Sequence, residues 1–251
     1  MKRPTLLVIA GLDPSGGAGL AADIEAAIAL GAYPAPVASL LTVQDSRRVL
    51  QVMPLDPALV RAQAEAVLAD LRVAAVKLGA LGTAAIGTAV ADLLERHRQI
   101  PVVTDPVLAA SGGGEVLGEP ALLALYRERI FPRSLVATPN RAELAALAPG
   151  DGAAELVALG LPACLVTDGD GRSERIVHEL HTVQGIRLLP GGPRLPGVFH
   201  GTGCSFASAI AARVAVGDSL EEAIDAAERF LRRALAQAFV PGAGQAVPGR
   251  W

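Results

Sequence analysis

Three short segments hold most of the residues able to do chemistry. The first, Gly11-Leu12-Asp13-Pro14-Ser15-Gly16-Gly17-Ala18-Gly19, leads from an apolar run into a helical pattern. A glycine-rich turn of this kind can offer free backbone N–H groups to an anion or polar ligand. It lacks the Lys-Ser/Thr ending of a Walker phosphate loop. Gly17-Ala18-Gly19-Leu20-Ala21-Ala22 fits the dinucleotide pattern G-x-G-x-x-A with Asp45 downstream, but six residues separate Ala10 from Gly17, whereas that fingerprint starts at the strand end. Taken alone, the loop reads as ordinary turn structure more readily than as either motif.

The second segment, Asn140-Arg141-Ala142-Glu143, follows Thr138-Pro139. A carboxylate there can hold magnesium through water, because that ion keeps most of its hydration shell while bridging phosphates. The same pattern is also an ordinary helix start with an acidic first turn. Asp105, before Pro106, is a second carboxylate for the metal or else a turn residue. The third segment is His200-Gly201-Thr202-Gly203-Cys204, opening an apolar helix. Successive N–H groups of Gly201, Thr202 and Gly203 form an anion hole for a transferring phosphoryl group. At a positive helix end a thiol has its pKa lowered, so Cys204 is either a base for a substrate hydroxyl or a buried small hydrophobe.

Elements that could position these segments follow from the apolar pattern. Continuous apolar runs at 5–10, 35–42, 74–78, 100–104, 134–138 and 163–166 end abruptly in Gly, Asp or Pro or their neighbours, as expected of parallel strands covered on both faces. Helical patterns occupy 19–30, 57–71, 83–98, 120–129, 141–147, 203–216 and 219–239. The alternation predicts a three-layer α/β/α fold with a mainly parallel central sheet. Residues 175–180 and 182–189 alternate more and read as a hairpin or edge strands. The whole chain, 1–251, reads as one domain, with a loose Gly- and Pro-rich tail from about 241. In such sheets ligands bind beyond the carboxyl ends of the strands, where all three segments fall.

Composition narrows the partners. With 22 basic against 25 acidic residues and 3% aromatics, the chain has neither the basic stripe nor the stacking platform of a nucleic-acid binder. No apolar run reaches the length of a membrane helix, so no membrane partner is expected. Cys164 and Cys204 are too few for a disulfide framework, which suits a reducing cytoplasm. Lys2 and Lys77 are the only lysines among many arginines.

Six segments in order, residues 10–19 with Asp23, Leu41-Thr42-Val43-Gln44, Val76-Lys77-Leu78-Gly79, Thr104-Asp105-Pro106-Val107, residues 138–143 and Gly201-Thr202-Gly203-Cys204, resemble the hydroxymethylpyrimidine and phosphomethylpyrimidine kinases of thiamine biosynthesis. These belong to the ribokinase-like superfamily. The resemblance implies ATP and Mg2+, a small aminopyrimidine alcohol as substrate and a homodimer. It implies a substrate pocket of Gly11, Asp23, Gln44 and Val107 and nucleotide contacts from Asn140, Thr167 and Asp168. Glu143 and Asp105 would serve the metal, residues 201–203 the anion hole, and Cys204 the base. Two departures stand out. The family's phosphate-clamping lysine is replaced in Thr167-Asp168-Gly169-Asp170, with Arg172 nearby, and Ala80 stands where a methionine is common. A pyridoxal kinase of the same branch, or a ligand-binding relative without catalysis, are the competing readings.

Overall fold

The computed structural model describes residues 3–109, 118–169, 171 and 173–251. Strand β1 (Thr5–Leu12) shows why the chain forms three layers. Its residues are almost all buried; Leu7 and Ile9 face one core, while Leu6, Val8 and Ala10 face the other. A strand apolar on both sides needs a helix layer on each.

Those layers come from the intervening helices. α1 (Gly19–Ala29) lies on one face with α7 (Thr202–Val216) and α8 (Leu220–Ala236). On the other face pack α2 (Pro57–Asp70), α3 (Ala84–Arg96), α4 (Ala121–Leu125), α5 (Arg141–Leu147) and α6 (Ala153–Ala158). The remaining strands are β2 (Tyr33–Gln44), β3 (Val49–Pro54), β4 (Val73–Leu78), β5 (Val102–Thr104), β6 (Val136–Ala137), β7 (Ala163–Val166), β8 (Arg175–Thr182) and β9 (Gly185–Pro193). Among the described residues they form one nine-stranded sheet in the order β3-β2-β1-β4-β5-β6-β7-β8-β9. It is parallel from β2 to β7 and antiparallel at both edges.

The expected α/β architecture is present, with three local differences. β2 runs on to Gln44 and turns into β3, an edge strand whose residues are apolar but largely exposed and lack the period-two alternation that marks a strand in sequence. α6 was hidden by its brevity. The helical pattern at 120–129 is tightened into α4, a π turn at Tyr126–Ile130 and a 3-10 turn at Phe131–Arg133. No helix among the described residues is long and apolar enough to cross a membrane.

The carboxyl-terminal segment corrects the expectation of a loose tail. Val247 exchanges both backbone hydrogen bonds with Phe239, Gly249 N–H donates to Ala234 O at 2.9 Å, and His200 N–H donates to Ala246 O at 2.8 Å. Arg250 is 2% exposed although Trp251, one residue on, is 79% exposed. Backbone pairing and a buried arginine outweigh the flexibility that Gly and Pro suggest. Carboxypeptidase Y should therefore remove Trp251 and stall at Arg250; trimming back to about residue 241, followed by mass spectrometry, would return this segment to a loose appendage.

Candidate active site

The pocket forms where β1, β2, β4 and β5 end. Gly11, Asp13, Gly19, Leu40, Thr42, Gln44, Lys77, Ala80, Val107, His200 and Cys204 contribute to its lining. Gly11, Gln44, Val107 and Cys204 are thus brought together as expected. Leu40 narrows the floor that Ala80 leaves wide, since a Cβ on Gly11 would lie 2.6 Å from Leu40 Cδ1 and 3.7 Å from Ala80 Cβ.

Asp23 sits elsewhere than expected. On the inward face of α1 it is 0% exposed, and its carboxylate accepts from Lys77 Nζ at 2.9 and 3.0 Å and from Ser208 Oγ at 2.6 Å. It supports the pocket from beneath and is absent from the lining. Lys77 also lies 3.7 Å from Asp105 Oδ2, an atom with no hydrogen-bond partner. Burial by itself would lower the Lys77 pKa; Asp23 first, with Asp105, more than offsets it and holds the ammonium firmly protonated. Asp105 is raised, first by burial and also by Asp23, against Lys77. Its surroundings therefore differ from those of a water-exposed metal ligand.

Cys204 occupies the first turn of α7. Gly201 takes the left-handed conformation, φ 80°, before the helix, and no side chain caps it. A Cβ on Gly201 would collide with Gly17 O, so glycine here permits two backbones to touch. Beside Gly203 a Cβ would meet nothing within 4 Å, which leaves room for an anion at the helix N–H groups. The expected lowering of the thiol is not found. Burial, then Asp105 and Asp23, push it up to about 12, against Lys77 and a hydrogen bond from Gly19 N–H. Two nearby carboxylates and desolvation outweigh a helix end. The thiol shares this buried cluster with Asp105 and Lys77.

Across the pocket, His200 Nε2 lies 2.9 Å from Asp13 Oδ2 and 3.1 Å from the Gln44 amide nitrogen. Burial would raise Asp13, but hydrogen bonds from His200 and Ser15 hold it below the ordinary aspartate value. An ionised Asp13 requires the ring nitrogen to carry a hydrogen and donate to it. His200 was visible in its motif, yet only the fold reveals its partners.

Asn140 and Glu143 form a capping box. Asn140 Oδ1 accepts from Glu143 N–H and Glu143 Oε2 accepts from Asn140 N–H, both at 2.9 Å. The helix-start reading is thus present, and it leaves a carboxylate further lone pairs for other partners. Among the described residues no group of three or more His, Cys, Asp or Glu could hold a metal ion. Thr167 bridges to Asn140 at the neighbouring strand end. Asp168 is 6% exposed and accepts from Val177 N–H and Arg194 Nη2, so its carboxylate organises the loop. Arg194 also donates to Gly169 O at 2.7 Å and Ser173 O at 2.8 Å. It brings a cation to the loop from 26 residues downstream, a distance no local motif reveals. Arg172 lies outside the described residues.

A helix start open to anions beside an apolar pocket, at the carboxyl ends of a parallel sheet, suits a phosphotransferase acting on small molecules, and the fold is ribokinase-like. The solved pyridoxal kinase of Bacillus subtilis, an ADP complex, superposes with a TM-score of 0.90 at 29% identity, covering 99% of this chain and 98% of that one. The phosphomethylpyrimidine kinase of Clostridium difficile 630 superposes with a TM-score of 0.77 at 25% identity, covering 92% of this chain and all of that one. In sequence, the hydroxymethylpyrimidine/phosphomethylpyrimidine kinase of Escherichia coli K12 is 36% identical over 95% of this chain and 93% of its own length. That of Rhizobium meliloti is 38% identical over 92% and 90%. The family model described as phosphomethylpyrimidine kinase matches residues 13–248. The chain belongs to that family.

Two outcomes test this geometry. Lys77→Met should cost about 3–5 kcal/mol by urea unfolding, because it leaves Asp23 buried without its cation, whereas Lys77→Met with Asp23→Leu should recover most of the loss. Equal losses in both proteins would show that the pair carries no such strain. Alkylation of Cys204 by iodoacetamide should climb about tenfold per pH unit through pH 7–10 with no plateau; a plateau near neutrality would mean the thiol is already ionised.

Proposed function

We propose that this protein uses ATP to phosphorylate the hydroxymethyl group of 4-amino-5-hydroxymethyl-2-methylpyrimidine, and then its monophosphate, in thiamine biosynthesis. The observation that carries this reading is Cys204 on the pocket wall at an uncapped, open helix start. An acceptor hydroxyl in the pocket and a γ-phosphate at the helix N–H groups would meet there. Sequence relatives 33–38% identical bear the pyrimidine kinase name, which favours this substrate over pyridoxal.

In this reading Gly11, Val107 and Gln44 receive the ring. Because His200 Nε2 gives its hydrogen to Asp13, the Gln44 carbonyl suits that side better than its NH2, which then faces Thr42 Oγ1 with a second hydrogen to offer an acceptor nitrogen of the ring. Gly201, Thr202 and Gly203 neutralise the transferring phosphoryl group. As the alcohol oxygen bonds to phosphorus and the bond to ADP breaks, the hydroxyl proton passes to Cys204 Sγ while the thiol proton passes to Asp105. A carboxylate and a thiol that are close in space and both pushed upward by burial support this two-proton path over direct thiolate catalysis.

Asn140, Thr167 and Asp168 flank the nucleotide in this reading, with Asp168 acting through the loop it braces. Mg2+ would be held through water by Glu143, where it would neutralise phosphate charge. The absence of an acidic cage among the described residues fits an ion carried mainly by phosphates and water. Asp105, paired with Lys77, fits the proton path better than the metal. Two free cysteines accord with a reducing cytoplasm. Exposed Leu41, Val43, Leu50 and Met53 on the β2–β3 edge accord with a homodimer. Small molecules, and no nucleic acid, are the partners that the acidic balance of charge suggests.

Steady-state assays with MgATP and each alcohol, read by mass for one or two added phosphates, should find the pyrimidine the better substrate; faster pyridoxal turnover would overturn the assignment. Cys204→Ala and Asp105→Asn should each slow turnover by about 10² to 10⁴, and the double variant should be little worse than the slower single one. Near-normal turnover in a folded Cys204→Ala protein would sink the proton path. Glu143→Gln should raise the magnesium requirement while alcohol binding stays nearly intact.

A further inference from the structure

Arg250 is the second residue from the end of the chain, yet its side chain is fully buried. Its Nε donates to Ser205 Oγ at 2.7 Å, on α7 one residue beyond Cys204. One guanidinium nitrogen donates to Gly17 O at 2.5 Å. The other lies 3.0 Å from Glu25 Oε2, on α1, and 3.5 Å from Gly16 O. Ser205 Oγ in turn donates to Gly201 O at 2.6 Å. The arginine thus grips the glycine loop at 13–19, the helix that follows it and the start of α7 at once.

These are the two halves of the site. The glycine loop bounds the alcohol pocket through Asp13, Ala18 and Gly19, and α7 supplies the anion hole and Cys204. Their backbones touch at Gly17 and Gly201, with Arg250 Nη2 2.8 Å from where a Gly201 Cβ would lie. Carbonyls of two glycine-rich turns have little side-chain packing to fix them, and a forked cation can join several acceptors in a set geometry that a lysine cannot. Burying that charge is costly unless its donors find partners, and here all three guanidinium nitrogens do.

We propose that Arg250 is a positioning residue that sets the registry between the alcohol pocket and the phosphoryl anion hole, which makes the carboxyl-terminal segment part of the active-site architecture. This rests on the kinase reading above. Arg250 hydrogen-bonds Ser205, Glu25 and the Gly16 and Gly17 carbonyls and none of Gly11, Gln44 and Val107, so loss of registry should fall on kcat more than on either KM. A displacement of about 1 Å between reacting groups can cost on the order of 10² in rate.

The test compares the full-length protein with Arg250→Ala and Arg250→Lys. Arg250→Ala should lose about 10²-fold in kcat, with KM for alcohol and for ATP close to the parent values, and millimolar guanidinium should restore part of kcat. Arg250→Lys keeps the charge facing Glu25 and guards against simple misfolding; it should melt near the parent temperature and still turn over slowly. Unchanged kcat per folded molecule in both variants, or no recovery with guanidinium, would overturn the proposal. Hydrogen exchange at 16–19 and 201–203 should quicken in Arg250→Ala without any substrate. If the parent protein phosphorylates no alcohol, the kinase reading has failed, and exchange alone decides for or against the clamp: unchanged protection at both turns rejects it.

Discussion

The buried ammonium of Lys77 is the constraint around which the pocket is built. A charge with no exposure must find counter-charges and hydrogen bonds or lose its proton. Here Asp23 arrives from α1, Ser208 from α7 holds Asp23 in place, and Asp105 arrives from the end of β5. Four elements are therefore brought together at the carboxyl ends of the strands by one electrostatic requirement. The same requirement places the two residues of the proposed proton path in contact, because Cys204 lies beside Asp105 and within the field of Lys77.

This arrangement changes the chemistry expected of Cys204. A helix start by itself favours a thiolate, but desolvation and two carboxylates act on the same sulfur in the opposite direction. The sulfur is held as a thiol beside Asp105. A protonated thiol between a substrate hydroxyl and a raised carboxylate can exchange one proton for another without ever holding a free charge. That route avoids placing a second anion beside a phosphoryl group that already carries several.

Close backbone contact is the other organising feature. Gly201 lies against Gly17 O because it has no side chain, and it also takes a left-handed conformation, while the missing side chain of Gly17 makes room for the His200 ring. Such contacts allow a ligand to approach peptide groups directly, but glycine turns hold their shape poorly. The carboxyl-terminal segment compensates. Its hydrogen bonds to Phe239 and Ala234 anchor it to the end of α8 and just beyond, its bond to His200 reaches the pocket, and Arg250 closes the turns from behind.

What the sequence determined by itself was local. Continuous apolar runs such as Leu6 to Ala10 specify strands covered on both faces, and the glycine motifs mark where ligands approach backbone. Gly11, Gln44, Val107 and Cys204 were legible because each lies in a segment ending a strand or opening a helix, and topology sends all such segments to one edge of the sheet. β3 and α6 were not legible, being exposed or short. Long-range pairing was also out of reach. Lys77 with Asp23, Arg194 with Asp168, and Arg250 with Gly17 join residues 54, 26 and 233 positions apart. Only the tertiary structure decided those contacts, and with them the protonation of Cys204, because desolvation and charge depend on what is near in space, whereas helix starts and strand runs depend on what is near along the chain.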